Sequence, residues 1–141
     1  MFETLTTRIK ISLVLHLNGF DKKLLEEKLR TFSEIEFVSE GNEFLQCFSY
    51  ALNVHFAHPF LVEKVLSETK FNETPNKGDN AWYFFGGRAV HAGVYDSTDK
   101  IISKWGNGFI YKHSLWSVPL GYGARVKYAP APNRSFLSEI E

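Results

Sequence analysis

The chain has 141 residues, of which 44% are hydrophobic and 16% aromatic, and its 16 basic and 16 acidic side chains leave no formal net charge. This length favours one domain with a real core, and the hydrophobic content excludes a disordered chain. The zero net charge gives no electrostatic indication of binding to nucleic acid or to an anionic membrane. A single cysteine, Cys47, excludes an internal disulfide.

The first forty residues predict a strand followed by a helix. Residues 8–17 alternate at first and are rich in β-branched side chains, which favours a strand. Asn18 and Gly19 signal a turn, after which Asp21 can cap a helix over residues 22–32. The apolar run 9–17 is too short to span a bilayer and lacks a small-residue cleavage site. We therefore expect no integral membrane segment, and a protein that is cytoplasmic or exported without a classical signal peptide.

The middle of the chain is predicted to be mainly helical. After a short strand at residues 34–39, apolar side chains recur at helical spacing: Phe44, Phe48, Ala51 and Leu52. Cys47 would lie in the opening turns of this helix, where unpaired amides and the helix dipole stabilise a thiolate. Pro59 then starts a helix that runs to residue 69, and a loop follows to residue 80.

From residue 81 the pattern changes to short strands separated by turns. The strand-like segments are 81–85, 89–95, 100–105, 109–112 and 124–128. Helices followed by an antiparallel meander predict one α+β domain. Residues 129–141, which include Pro130 and Pro132, are expected to form a tail.

Two stretches near the start of the meander bear on the chemistry of Cys47. Residues 76–84 contain a Gly-Asp turn that enters an aromatic strand, and His91 begins a second strand in the sequence Val-His-Ala-Gly-Val-Tyr. A histidine that faces a helix-borne cysteine suits a thiol hydrolase, because the base deprotonates the thiol and then protonates the leaving group. A lone cysteine before helical apolar residues is also typical of an inert, buried side chain.

The order of these motifs resembles the papain-like hydrolases of the NlpC and CHAP families, which present Cys, then Gly-Asp, then His-x-Gly-(Ile/Val)-Tyr. The resemblance implies a papain-like core at residues 41–128, in which a nucleophile-bearing helix packs on an antiparallel β-meander. Residues 1–40 would be a strand-helix extension. The resemblance also implies Cys47 as the nucleophile, His91 as the general base and an amide substrate such as a peptidoglycan peptide, without a cofactor. This chain departs from the NlpC type by having Gln46, Phe48 and Ser49 around the cysteine, where Asp-Cys-Ser-Gly is usual.

These families also place a third polar residue on the next strand, where it orients the histidine. The corresponding position falls within residues 101–106, and Ser103 is the best-placed side chain there. His113 competes from the following strand, and Asp99 is a more distant candidate. Trp105 is either a floor for the substrate or a residue of the sheet, and His113 is a second candidate for contacting the substrate. Lys104 is expected on the surface of the opposite face.

Several functions stay open on this basis. The leading hypothesis is a thiol hydrolase that acts on an amide bond, and one form of this hypothesis is a secreted effector. Deamidation or acyl transfer would use the same parts, and a papain-like binding module that has lost its third catalytic residue is the rival class. A metal site built from His55, His58 and His91 is disfavoured because no cysteine or carboxylate lies at ligand spacing beside them. The oligomeric state stays open.

Overall fold

The computed structural model describes residues 2–19, 21–41, 46–105 and 108–140, together with the side chains from residue 4 onward. Within these residues the chain is an α+β fold of five α-helices and one six-stranded antiparallel sheet. The helices are α1 (Phe2–Asn18), α2 (Lys22–Leu29), α3 (Cys47–Leu52), α4 (Pro59–Glu68) and α5 (Arg134–Ile140). The strands are β1 (Ile35–Ser39), β2 (Asn80–Phe85), β3 (Arg88–Ser97), β4 (Lys100–Lys104), β5 (Ile110–Ser114) and β6 (Arg125–Ala129), and a short 3₁₀ turn covers Leu120–Tyr122. None of the described helices combines the length and apolar character needed to cross a membrane.

Helix α1 replaces the strand predicted for residues 8–17, so that prediction was wrong. The alternation of Ile9, Ile11 and Leu13 suggested a strand, but these residues belong to two faces of a helix. Ile11 is fully buried, whereas Ile9 and Leu13 are 42% and 54% exposed. The segment before β1 is consequently a pair of packed helices, α1 and α2, and not a strand-helix extension.

The sheet has the strand order β1-β5-β4-β3-β2-β6, and all neighbours are antiparallel. Strands β2 to β5 form the predicted meander, and β1 and β6 flank it. Each face of the sheet packs against helices because successive side chains point to opposite sides. Ala81 and Tyr83 join the core formed with α1 and α2, whereas Trp82 joins the core formed with α3, α4 and α5.

Helix α5 occupies part of the segment that we expected to be a tail. Asn133 accepts a hydrogen bond from the backbone N–H of Ser135 at 2.9 Å, which is the cap of this helix. Leu137 is buried against the core that α3 and α4 share. The guanidinium of Arg134 donates to the carbonyl of Asn53 at 2.6 Å, so α5 also ties down the end of α3.

The hairpin of β3 and β4 is paired in the part nearest its turn. Its turn residues Thr98 and Asp99 both have left-handed backbone angles, with φ of 49° and 60°, as a two-residue hairpin turn requires. Pairing of the two strands runs from this turn to Val94 and Ile102 and stops there. Gly93 lies beside this end of the ladder, where an added Cβ would come within 2.5 Å of Ile101.

Candidate functional site

Cys47 is the first residue of α3, a helix that packs against the sheet. Phe48 stacks on Trp82 with ring centroids 5.9 Å apart, and Asn80 donates a hydrogen bond to the carbonyl of Ala51 at 2.9 Å. Both of these contacts are with β2, and α3 also packs against β3 and β4. Phe44, which the helical spacing included with Phe48, Ala51 and Leu52, lies outside the described residues.

Burial dominates the electrostatics of the Cys47 thiol. Hydrogen bonding from the backbone amides of Ala92, Phe48 and Cys47 itself favours the thiolate, and so does the positive charge of Lys104. Removal from water outweighs these effects and raises the pKa of the thiol. The low thiol pKa that the sequence suggested is therefore not found. Helix α3 has only six residues, too short for a large dipole to offset the burial.

His91 lies on β3, fully buried on the face of the sheet that packs against α1 and α2. Its ring stacks on Tyr122 with centroids 3.9 Å apart and planes 14° apart, and it touches Tyr83 at a tilt. Burial, with a smaller contribution from the charge of His113, holds the pKa of His91 well below its usual value. Neither ring nitrogen has a hydrogen-bond partner among the residues that the structure describes.

The backbone next to His91 contributes to the electrostatics of Cys47. The amide N–H of Ala92, which favours the Cys47 thiolate, belongs to the peptide that joins Ala92 to His91. Tyr122 responds to both groups: burial, and to a smaller extent the charge of Cys47, raises its pKa, and its ring stacks on His91. No hydrogen bond joins the Cys47 sulfur to a ring nitrogen of His91 in the described structure.

Ser103 bonds to His113 and not to His91. The Ser103 Oγ lies 2.7 Å from His113 Nε2 and accepts a hydrogen bond from Trp105 Nε1 at 3.1 Å. His113 Nδ1 lies 2.9 Å from the carbonyl of its neighbour Ser114 and can only donate to it, so Nε2 accepts from the serine. Burial lowers the pKa of His113 to about 4. The expected hydrogen bond from Ser103 to His91 is therefore absent from the described structure.

The two residues considered for substrate contact are both in the interior. Trp105 is 4% exposed and packs edge-on against His113 with centroids 5.5 Å apart. His113 is fully buried. Trp105 is a core residue of the sheet, which is the second of the two roles weighed for it, and neither side chain meets solvent where a substrate could reach it.

Lys104 was expected on the surface and is instead completely buried. Strand alternation correctly put it on the face opposite Trp105, but the start of α3 and the backbone at Gly41 cover that part of the face. The ammonium donates to the carbonyl of Gly108 at 2.7 Å. Burial lowers the pKa of Lys104, and the nearby Cys47 partly offsets this.

The turn that carries Tyr122 is fastened to α1. Arg8 Nη2 donates to the carbonyls of Pro119 at 3.0 Å and Gly123 at 2.5 Å, and Arg8 Nε donates to Val118 at 3.2 Å. The backbone N–H of Leu120 donates to Ser12 Oγ at 2.9 Å. Sequence reasoning missed the roles of Arg8 and Tyr122. The Gly-Tyr-Gly motif did signal a turn. The three hydrogen bonds from Arg8 to this turn, which we call the Arg8 clamp, and the stacking of Tyr122 on His91 join distant segments and leave no local sequence pattern.

The remaining histidines and Asp99 lie away from this site. Asp99 sits in the β3–β4 turn, on the order of 20 Å along the strand from His91, too far to orient its ring. His58 caps α4 by accepting a hydrogen bond from the backbone N–H of Leu61 at 3.1 Å. In the described part of the chain, no group of three or more His, Cys, Asp or Glu residues could hold a metal ion.

The groups that acyl transfer would use are a thiol, an uncharged imidazole and the backbone N–H groups of Cys47, Phe48 and Ala92. The His91 imidazole is fully buried and has no hydrogen bond to the thiol in the described structure. Comparisons of the chain with protein-family models, curated proteins and solved structures gave no match.

Proposed function

We propose that this protein is a papain-like thiol hydrolase that cleaves an amide bond by acyl transfer to Cys47. The observation that carries the proposal is the position of Cys47 as the first residue of α3, where the backbone N–H groups of Cys47, Phe48 and Ala92 favour its thiolate. His91 precedes Ala92 in β3, and neither of its ring nitrogens has a hydrogen-bond partner among the described residues, so the proposal requires the thiol to reach His91 when the substrate binds. A buried imidazole without hydrogen bonds lowers the stability of a fold. A role of His91 in the chemistry would explain why the fold contains such a group.

The reaction starts from an uncharged pair. A thiol with a raised pKa and an imidazole with a lowered pKa are both neutral near pH 7, so His91 removes the thiol proton as sulfur attacks the carbonyl carbon. The amides of Cys47, Phe48 and Ala92 stabilise the oxyanion. Breakdown of the adduct expels the amine, which takes the proton from His91. Water then attacks the thioester, giving its proton to His91, and the acid and free thiol are released.

The substrate class that we propose is a peptide of peptidoglycan, as the resemblance to the NlpC and CHAP families implies. Delivery as a secreted effector would suit this substrate. Deamidation uses the same steps with ammonia as the leaving group, and acyl transfer replaces the water with another nucleophile. Product analysis separates the three, because only hydrolysis of a peptide link creates both a new amine and a new carboxylate.

The test is digestion of soluble peptidoglycan fragments, followed by liquid chromatography and mass spectrometry. Wild-type protein should release peptide products, and Cys47→Ala and His91→Ala should lose at least about a thousandfold in rate. His16→Ala, which removes an exposed histidine, is the matched control and should keep the wild-type rate. Cleavage that survives in Cys47→Ala would contradict the proposal.

A binding module on the same scaffold is the second candidate. The observation in its favour is the engagement of Ser103 with His113, which leaves His91 without an orienting partner in the described residues. Such a module would bind peptidoglycan fragments equally well in wild-type and Cys47→Ala forms and would release no product with either. Isothermal titration of both forms alongside the digestion distinguishes the module from the enzyme.

A further inference from the structure

The outer face of α1 is a ridge of apolar side chains exposed to solvent. Its members recur every four residues and are 48%, 42%, 54% and 75% exposed: Leu5, Ile9, Leu13 and Leu17. The opposite face of α1 packs into the core through Ile11, Val14 and Leu15. A helix that is apolar on both sides is normally covered on both sides. Within the described residues, the inner face alone is covered in this way.

The size of this ridge suits an interface between proteins. Four side chains with these exposed fractions present on the order of 400 Å² of apolar surface. A standard interface buries about 800 Å² per partner, of which a little more than half is apolar. Contiguous apolar patches above a few hundred Å² are uncommon on monomers and mark interaction sites. The ridge alone therefore supplies most of the apolar area that a stable dimer needs.

The ridge is also complementary to itself. If two copies of α1 pack antiparallel about residue 11, Leu5 meets Leu17 of the other copy and Ile9 meets Leu13 of the other copy. Ridges of residues four apart interdigitate well in such pairs. The pairing also sets Lys10 opposite Ser12 of the other copy, so the two lysines do not face each other. Residues 4–18 contain no acidic side chain.

A protruding side chain and a hollow lie at opposite ends of the ridge. Leu17 is its most exposed member, and beside Leu5 is a hollow of about 600 Å³ that is also lined by Phe84, Phe85 and Leu120. In the antiparallel pairing Leu17 of each copy lies over the hollow of the other. We propose that α1 forms the interface of a twofold symmetric dimer with a second copy of this chain.

Sedimentation velocity over a concentration series tests this proposal. Wild-type protein should dimerise at concentrations on the order of micromolar, and Leu13→Glu should raise the dissociation constant at least about a hundredfold, because it sets a charge opposite an apolar partner. Phe60→Glu is the matched control: Phe60 is 65% exposed on α4, and its replacement should leave the dimer intact. Thermal unfolding of the Leu13→Glu monomer verifies that the fold survives.

Three results would overturn the proposal. If the wild-type protein stays monomeric at the highest concentrations, a second copy of the chain does not cover the ridge. Dissociation by Phe60→Glu with persistence in Leu13→Glu would place the interface elsewhere. A monomer that binds phosphatidylglycerol vesicles through α1, with binding lost in Leu13→Glu, would make a lipid surface the occupant.

Discussion

At the scale of single residues, burial sets the charge of the candidate site. Transfer from water disfavours charged forms, so it raises the pKa of Cys47 and lowers the pKa values of His91 and Lys104. Thiol and imidazole consequently stay neutral before a substrate arrives. Lys104 acts against this trend, because its ammonium favours the thiolate.

Replacement of Lys104 should therefore change the thiol measurably. We expect Lys104→Met to raise the pKa of Cys47 further, since it removes a buried positive charge near sulfur and leaves the burial in place. Thiolate absorbance during a pH titration gives this pKa. Lys70→Met, at an exposed position, is the control and should leave the titration unchanged. A lower thiol pKa in Lys104→Met would contradict this assignment.

At the scale of elements, α1 holds the turn that packs on His91, on the face of the sheet opposite α3. Arg8 and Ser12 hold the turn at Leu120–Tyr122, and this turn lays Tyr122 across His91. The guanidinium is buried against backbone carbonyls, which lowers its pKa. Removal of a buried donor such as this guanidinium destabilises a fold mainly because it leaves the carbonyl acceptors without a hydrogen bond.

The Arg8 clamp gives a prediction about stability. Arg8→Met removes the hydrogen bonds to Val118, Pro119 and Gly123 and should lower the free energy of unfolding by about 2–4 kcal/mol. Arg125→Met replaces an exposed arginine of β6 and should cost less than about 0.5 kcal/mol. Urea unfolding measures both. Equal stability of the two variants would show that the clamp contributes nothing.

Local patterns predicted the elements well where period and turn chemistry agree. Strands β2 to β5, α2 with its Asp21 cap and α4 with Pro59 in its first turn follow the predicted order. Residues 8–17 were wrongly predicted to form a strand, because a few alternating apolar positions fit both a strand and the two faces of a helix. The tail prediction gave too much weight to the prolines and too little to Asn133 as a cap.

The candidate site was predictable only in part, for a physical reason. Motif order pointed to Cys47 and His91; the structure shows the backbone of Ala92, next to His91 in the chain, acting on Cys47, but shows no hydrogen bond between the thiol and the imidazole. Ser103 and His113 were both considered as partners of His91, yet they bond to each other. The pairing of polar groups in a core depends on strand register and on packing between distant segments. The spacing of residues within one strand does not determine this pairing.

At the scale of the whole molecule, the two buried histidines make stability depend on pH. Their pKa values are depressed in the folded state, to about 4 for His113 and well below the usual value for His91. The unfolded chain takes up protons near pH 6.5, which the folded chain does not. Stability is therefore complete above about pH 6.5 and is lost as the pH falls toward 4.

The expected size of this loss is about 3 kcal/mol from His113 alone, with a further contribution from His91. His91→Phe keeps an aromatic ring against Tyr122 and removes one of the two titrating groups. Its free energy of unfolding should consequently fall less than that of the wild type between pH 7 and 4. Denaturant unfolding across this range measures both proteins, and an identical pH dependence would contradict the assignment to His91.

The central claim is that the Cys47 thiol and the His91 imidazole are both uncharged in the resting protein. The rate of alkylation of Cys47 by iodoacetamide as a function of pH tests it most directly. We predict slow alkylation from pH 5 to 7, followed by a single rise whose midpoint lies above the ordinary thiol value of about 8.5. A plateau of fast alkylation between pH 5 and 7 that is lost in His91→Ala would reveal a thiolate–imidazolium ion pair and would contradict the account.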